Sequence, residues 1–150
     1  MTIEVGQAAP NFESKIEDGS TKSLADYKGK KLVLYFYPKD DTPGCTAEAC
    51  DLRDNYERFL NQGYEILGVS PDSGTKHQKF IAKYELPFHL LADEDKTVAN
   101  AYGVWVEKNM YGRKYMGVAR TTFIIDEEGK IADIIKKVKT KEHTAQILTS

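Results

Sequence analysis

Two cysteines lie five residues apart in the run PKDDTPGCTAEAC, at Cys45 and Cys50. Cys45 follows Thr42 and Pro43, a pair typical of a helix start, because threonine caps the first turn and proline tolerates the first helical position. A cysteine at about the third residue of a helix faces unpaired backbone N–H groups and the positive end of the helix dipole, which favour a thiolate. The sequence therefore predicts an activated nucleophile at Cys45.

A fast thiolate also needs neighbours that orient the electrophile and stabilise the transition state. Thr42 carries one hydroxyl donor and two acceptor lone pairs, so it suits a helix cap, a contact to the thiolate or a contact to a bound oxygen. Pro38 closes the preceding apolar run and lacks an N–H, so we expect it to shape the loop that carries Thr42 and Cys45. These residue types indicate nucleophilic chemistry at sulfur.

The constellation of Pro38, Thr42 and Cys45 resembles the PxxxTxxC active-site motif of the peroxiredoxins. Cys50 resembles the resolving cysteine of the subfamily known as bacterioferritin comigratory protein or peroxiredoxin Q. The resemblance extends along most of the chain, through the segments GQAAPNF, KLVLYFYPKD, ILGVSPDS, LPFHLLADED and ARTTFIIDEEGKI.

The resemblance implies a thioredoxin-dependent peroxidase of the thioredoxin fold, with Cys45 as the peroxidatic cysteine, Thr42 and Arg120 as its activating partners and Cys50 as the resolver. Arg120 stands just before the run TTFII, where the family places its active-site arginine. A permanently charged guanidinium would hold the thiolate and polarise the peroxide. In the implied cycle Cys45 attacks a hydroperoxide, becomes a sulfenic acid and forms a disulfide with Cys50.

The implied cycle has few further requirements. It needs hydrogen peroxide or an organic hydroperoxide and a dithiol reductant, either thioredoxin or glutaredoxin. It needs no metal, flavin or haem, because sulfur carries both electrons. Gly44 and Pro38 are expected to shape the substrate site, and the family resemblance favours a monomer or a weak homodimer with a role in antioxidant defence.

Helix geometry adds a consequence for the two cysteines. Five residues along an ideal helix place two Cα atoms roughly 8.7 Å apart. A disulfide usually needs a separation below about 7 Å. If Cys45 and Cys50 are both helical in the reduced protein, we expect the turns between them to unwind before the disulfide forms.

Composition restricts the possible classes of protein. With 150 residues, 41% hydrophobic and 29% charged, the chain predicts one globular domain over residues 1–150. A net charge of -2 offers no field for nucleic acid, so the lysines at 136–141 are expected to form a solvated face. No apolar run approaches the roughly 20 residues of a membrane helix, and no secretory signal precedes the domain, so we expect a cytoplasmic protein without membrane contact.

Three other functions stay open from the residues alone. A dithiol oxidoreductase or disulfide isomerase of the same fold normally carries Cys-x-x-Cys, which differs from the spacing here. A metal-binding module would need ligands at regular spacing, whereas His77, His89 and His143 are scattered. A non-enzymatic chaperone would need an exposed apolar patch. On local grounds Cys50 could simply pack in a helix, and Arg120 could form a surface ion pair.

Apolar runs and turn signals predict an α/β fold, a thioredoxin-like three-layer sandwich with an N-terminal β-hairpin. The predicted strands are 12–16, 21–24, 31–37, 64–70, 88–92, 121–126 and 130–135. The predicted helices are one long helix from Pro43 closed by Gly63, and shorter ones over 75–84, 96–102 and 143–148. The aromatic stretch around Trp105, Tyr111 and Tyr115 is expected to pack in the core and in loops. Pattern alone also allows ferredoxin-like and flavodoxin-like orders.

Overall fold

The computed structural model describes residues 3–148. Its strands are β1 (Glu13–Lys15), β2 (Thr21–Ser23), β3 (Lys31–Phe36), β4 (Tyr64–Ser70), β5 (His89–Ala92), β6 (Trp105–Met110), β7 (Arg113–Val118), β8 (Thr121–Ile125) and β9 (Ile131–Ile135). Its α-helices are α1 (Pro43–Asp54), α2 (Tyr56–Asn61), α3 (Gly74–Tyr84), α4 (Thr97–Ala101) and α5 (His143–Ile147). Short 3₁₀ helices span Leu24–Tyr27 and Thr140–Glu142.

A five-stranded sheet in the order β5-β4-β3-β8-β9 forms the centre of the protein. β3 runs parallel to β4 and antiparallel to β8, and β4 runs parallel to β5. The parallel pairs follow from the helical crossovers between these strands, as the β-α-β pattern of the sequence predicts. The apolar run KLVLYF is therefore the middle strand and is buried on both faces.

The side chains of β3 alternate between two cores, one on each face of the sheet. Leu32, Leu34 and Phe36 belong to the core that includes Val98 of α4 and Tyr27 of the first 3₁₀ helix. On the opposite face, Val33 and Tyr35 belong to the core that includes Ala49 of α1, Phe59 of α2 and Phe80 of α3. The predicted three-layer sandwich is confirmed, and α1 lies directly on the central strand.

The N-terminal hairpin flanks this sheet as expected. β1 and β2 pair antiparallel, and an isolated bridge joins Ile16 to Leu91 in the edge strand β5. The predicted hairpin near the C-terminus is present as β8 and β9, and α3, α4 and α5 lie within one or two residues of their predicted ranges.

The predicted long helix from Pro43 to Gly63 is wrong in one respect, because it is two helices. Asn55 interrupts it with φ -114° and ψ 12°. The Asn55 side-chain amide donates to the carbonyl of Asp51 at 2.8 Å. An asparagine that bonds to nearby backbone competes with the helical ladder, which explains the break. Helix α1, which carries both cysteines, is therefore a separate unit of 12 residues.

A second correction concerns the aromatic stretch, which forms the hairpin β6–β7 instead of core and loop packing. Tyr111 and Gly112 connect the strands, both with positive φ, as in the two-residue turns that match strand twist. Tyr111 is fully exposed and Tyr115 is largely exposed, whereas Trp105 packs partly against the core. Only the base of this hairpin is buried.

A substitution at Gly68 in β4 tests how tightly the central sheet is packed. A Cβ at this position would lie 2.7 Å from Leu90 Cδ2 and 2.9 Å from Tyr35 Cζ. We expect Gly68→Ala to lower the free energy of unfolding by about 1–3 kcal/mol through overpacking, measured by denaturant titration. Ala132→Ser on exposed β9 is the matched control, with an expected change within about 0.5 kcal/mol. An unchanged midpoint for Gly68→Ala would contradict this account of the core.

Candidate active site

Cys45 lies where the central strand passes into α1. After β3 the chain crosses Pro38 and turns at Thr42, whose extended conformation (φ -102°, ψ 156°) precedes Pro43 at the first helical position. The first helical hydrogen bond runs from Thr46 N to Thr42 O at 2.8 Å. Cys45 is thus the third helical residue, as predicted, and it is only 1% exposed. Its sulfur lies in the first turn, whose amides lack intrahelical acceptors.

The loop before Cys45 is anchored to the β4–α3 region through Asp40. The Asp40 carboxylate accepts from Tyr37 Oη at 2.6 Å and from His77 Nδ1 at 2.7 Å. The Asp40 amide donates to Asp72 Oδ2 at 2.7 Å. His77 Nε2 lies 3.0 Å from the carbonyl of Leu91, so both ring nitrogens face oxygen atoms and the ring is held at both ends.

Asp41 provides a second anchor and adopts a left-handed conformation with φ 58°. Its carboxylate accepts from Lys83 Nζ and from Tyr84 Oη, each at 2.9 Å, so two residues at the end of α3 hold it. These contacts lower the pKa of Asp41. The backbone that presents Cys45 is therefore fixed before α1 begins.

Arg120 reaches Cys45 from the segment between β7 and β8. Arg120 Nη2 donates to Cys45 Sγ at 3.2 Å, and Nη1 donates to Glu48 Oε1 at 2.8 Å. The structure thus brings the predicted Arg120 and Cys45 together. The guanidinium is well suited to this task because its planar fork serves two partners with fixed geometry.

Gly44 is required by the close approach of Arg120. A Cβ at Gly44 would lie 3.1 Å from Arg120 Nη2, closer than side chains normally pack. That nitrogen is already held by Cys45 and its partner nitrogen by Glu48. Glycine at this position lets the guanidinium lie against the first turn of α1.

Glu48 is a site residue that sequence reasoning missed. It follows Cys45 by three residues, a spacing that places both on one helix face, and its side chain is fully buried. Burial raises the pKa of Glu48 from its ordinary value of 4.5 to about 7, although Arg120 opposes the shift. Because the folded state then binds a proton that the unfolded state has lost, this group destabilises the fold progressively as pH rises from about 4.5 to about 7.

Thr42 departs from its expected role as a side-chain cap. Its hydroxyl donates to the carbonyl of Lys39 at 2.9 Å and makes no capping bond to α1. In residues 3–148 no hydrogen bond joins it to the sulfur of Cys45 either. With its proton committed to Lys39, the hydroxyl oxygen can act toward a ligand only as an acceptor.

Cys50 lies in the same helix as Cys45, further along α1. It is half-buried and, like Cys45, it is a free thiol. Both cysteines are helical in this reduced state.

Pro38 is also half-buried, between the central strand and the Asp40 anchor.

Lys108 of β6 places a second cation near this site. Its stem packs over Gly117, where a Cβ would lie 3.3 Å from Lys108 Cδ. Burial and then the positive charge of Arg120 lower the pKa of Lys108, whereas the negative charge of Cys45 opposes this shift. The sequence offered no signal for this lysine, because its position depends on the unpredicted hairpin.

Two other site classes receive no support between residues 3 and 148. No three histidine, cysteine, aspartate or glutamate side chains converge in a way that holds a metal ion there. No helix in that part of the chain is long and apolar enough to cross a bilayer.

The model of the AhpC/TSA family matches residues 5–134. The chain belongs to the AhpC/TSA family. It is 54% identical over 148 residues to peroxiredoxin Bcp of Bacillus subtilis (strain 168), which covers 99% of this chain and 94% of that protein. Among solved structures it resembles Xylella fastidiosa PrxQ, with a TM-score of 0.93, 33% identity and coverage of 99% of this chain and 95% of that one.

A further similar structure is the Xanthomonas campestris bacterioferritin comigratory protein, studied for its alkyl peroxide reduction activity. Its TM-score is 0.89 at 37% identity, over 98% of this chain and 94% of that one. These matches confirm the resemblance to the peroxiredoxin Q group, the thioredoxin fold and the activity of a thiol peroxidase. They favour neither a dithiol isomerase nor a non-enzymatic chaperone.

Gly44→Ala tests the fit between α1 and Arg120 in this peroxiredoxin. The added methyl group displaces the guanidinium by a few tenths of an ångström, so we expect the rate constant for hydroperoxide reduction to fall roughly 3- to 30-fold. Arg120→Ala removes the guanidinium altogether, and we expect it to lower the same rate constant roughly 100-fold or more. Ala47→Ser, a small change elsewhere in α1, is the control with an unchanged rate. A wild-type rate for Gly44→Ala would show that the close approach has no role.

Proposed function

We propose that Cys45 is the peroxidatic cysteine, that Arg120 and Thr42 assist it and that Cys50 resolves it. The contact of 3.2 Å between Arg120 Nη2 and Cys45 Sγ carries this proposal. Of the two cysteines, only Cys45 combines a cationic donor with a position in the first turn of a helix. Gly44 and Pro38 shape this site without taking part in bond changes.

In the first step the Cys45 thiolate attacks the terminal oxygen of hydrogen peroxide or an organic hydroperoxide. The S–O bond forms, the O–O bond breaks, and the leaving oxygen takes up a proton to become water or an alcohol. Thr42 accepts a hydrogen bond from the hydroperoxide, because its own proton is committed to Lys39. Arg120 stabilises the negative charge that moves from sulfur to the leaving oxygen.

In the second step the Cys50 thiol condenses with the sulfenic acid, so that a disulfide forms and water leaves. A thioredoxin-type dithiol then reduces this disulfide by exchange and restores both thiols. The cycle requires a steady supply of dithiol, which favours a reducing compartment such as the cytoplasm. Both cysteines lie in one chain, so a monomer with a single domain over residues 1–150 suffices.

Separate serine substitutions distinguish the two cysteines. We expect Cys45→Ser to abolish hydroperoxide consumption, because no thiol remains in the first turn of α1, next to Arg120. Cys50→Ser should consume one equivalent and then stop, with a sulfenic acid at Cys45 that dimedone traps and peptide mapping locates. Peroxide consumption by Cys45→Ser at the wild-type rate would overturn the proposal. A full catalytic cycle in Cys50→Ser with thioredoxin would assign a one-cysteine mechanism instead.

The disulfide step demands a change in α1, since both cysteines are helical in the reduced protein. Their ideal Cα separation of roughly 8.7 Å exceeds the usual limit of about 7 Å. Unwinding must release the bond from Arg120 to Glu48 and the bond from Thr144 N to Asp51 Oδ2, which measures 2.7 Å. The break at Asn55 lets α1 open without unwinding α2.

Hydrogen exchange tests this local unwinding. We expect residues 46–52 to lose amide protection when the disulfide forms, with a matching loss of helical circular dichroism, while α3 keeps its protection. Peroxide-treated Cys50→Ser is the matched control, because it cannot form the disulfide and should stay protected. Equal protection of residues 46–52 in the reduced and disulfide forms would contradict the prediction.

A further inference from the structure

One oxygen of the buried Glu48 carboxyl is unaccounted for by the active site. Oε1 accepts from Arg120, but Oε2 has no hydrogen-bond partner among residues 3–148 and is shielded from solvent. A buried carboxylate oxygen without a donor costs free energy, so its surroundings need an explanation. His143 of α5 lies close to this oxygen, with its Nε2 3.4 Å from Glu48 Oε2.

The hydrogen bonds of Gln146 determine the proton on His143 Nδ1. Gln146 Nε2 donates to the carbonyl of Lys137 and Oε1 accepts from the amide of Lys139, each at 2.9 Å. The amide orientation is therefore fixed, and Oε1 also lies 2.8 Å from His143 Nδ1. Because that oxygen can only accept, Nδ1 must carry a proton.

The other ring nitrogen faces two oxygens. His143 Nε2 lies 2.8 Å from Thr122 Oγ1 in addition to its distance from Glu48 Oε2. A neutral ring protonated on Nδ1 presents a bare lone pair at Nε2, which Thr122 can satisfy but which would repel an ionised Glu48. A proton on either Glu48 Oε2 or His143 Nε2 turns that repulsion into an attraction.

We propose that Glu48 and His143 hold one proton between them at neutral pH, and that this proton preserves the positive charge of Arg120 for Cys45. The inference rests on the proposed function, because it assigns Glu48 and His143 as positioning residues behind the catalytic cysteine. If the proton were lost, a full carboxylate would neutralise Arg120 and weaken its hold on the thiolate. If it is retained, Arg120 keeps its hydrogen bond to Oε1 and directs its charge toward sulfur.

The charged and titratable groups around the pair support this assignment. Besides Arg120, which also contacts Cys45, Asp51 of α1 and the buried Tyr35 hydroxyl of β3 face it. Burial dominates both pKa values: it raises the pKa of Glu48 and lowers the pKa of His143, so each group disfavours its charged form. A neutral carboxylic acid beside a neutral imidazole is the arrangement with one shared proton.

Thermodynamic linkage couples the shared proton of Glu48 and His143 to the ionisation of Cys45 in both directions. If the shared proton stabilises the thiolate through Arg120, then the thiolate must stabilise the shared proton by the same factor. Replacing the thiolate by a neutral group leaves Arg120 uncompensated, which favours loss of the proton. Cys45→Ser should therefore release the proton at a lower pH than the reduced wild-type protein does.

Nuclear magnetic resonance of the reduced full chain tests this linkage. We expect the Glu48 carboxyl carbon and His143 Nε2 to change together with one common midpoint, while His143 Nδ1 stays protonated. In Cys45→Ser that midpoint should correspond to a proton affinity lower by about threefold or more. His77 and the exposed His89 serve as internal controls in the same spectra. An ionised Glu48 from about pH 5 upward, with no coupled change at His143, would overturn the proposal.

Thiol alkylation provides a second test in a Cys50→Ser background, where only Cys45 reacts. Glu48→Gln mimics the protonated carboxyl and cannot ionise, so the pH midpoint of iodoacetamide alkylation should equal that of the Glu48 protein, in which the pair already holds its proton while Cys45 ionises. Glu17→Gln is the matched control, since it removes a carboxylate that contacts the exposed His89 of β5 and should also leave the midpoint unchanged. A lower midpoint in Glu48→Gln would show that Glu48 is ionised in the parent protein while Cys45 ionises, and would overturn the proposal. Neither test uses peroxide, so failure of the proposed peroxidase cycle would be seen separately.

Discussion

The structure depends on one contact, in which the guanidinium of Arg120 meets the almost wholly buried sulfur of Cys45. A buried charge is tolerated only with partners. Arg120 supplies the charge, the first turn of α1 supplies unpaired amides, and Gly44 leaves the space in which they meet. Every further residue of the site either positions one of these partners or offsets the free energy that its burial costs.

Arg120 illustrates how each partner creates the need for another. A guanidinium that is mostly removed from water requires an acceptor besides the sulfur, and Glu48 provides it. A full carboxylate there would weaken the field that Arg120 exerts on Cys45. In the proposed arrangement, His143 of α5 prevents this loss, because it shares a proton with the second oxygen of Glu48. The C-terminal helix thereby becomes part of the active site although it lies far from the motif in sequence.

Local sequence signals were sufficient for the elements that carry the motif and insufficient for the contacts between them. The apolar run of β3 and the Thr42–Pro43 helix start are local, so the position of Cys45 follows from the sequence. Arg120 was found only through family resemblance, because nothing near it marks a partner 75 residues away. Glu48 carries no local signal of burial, because its contacts are with Arg120 and with His143 of α5, both distant in sequence. The break at Asn55 was missed for a different reason, because a side-chain bond to Asp51 competes with the helical ladder there. The β6–β7 hairpin was missed because its turn places a tyrosine, Tyr111, at a positive φ.

In the proposed cycle, the contacts that prepare Cys45 for peroxide must later be broken for Cys50 to reach it. The contacts that hold the loop before Cys45 are separate from those that hold α1. Asp40 and Asp41 bind the loop to the β4–α3 region, outside the segment that has to open. At the other end of α1, the buried Thr144 of α5 holds Asp51, and the helix already ends at Asn55. In that cycle, a fixed loop on one side and a break on the other confine the opening to the 12 residues of α1, and the core on this face of the sheet loses the contacts of Cys45, Ala49 and Leu52 while α1 is open.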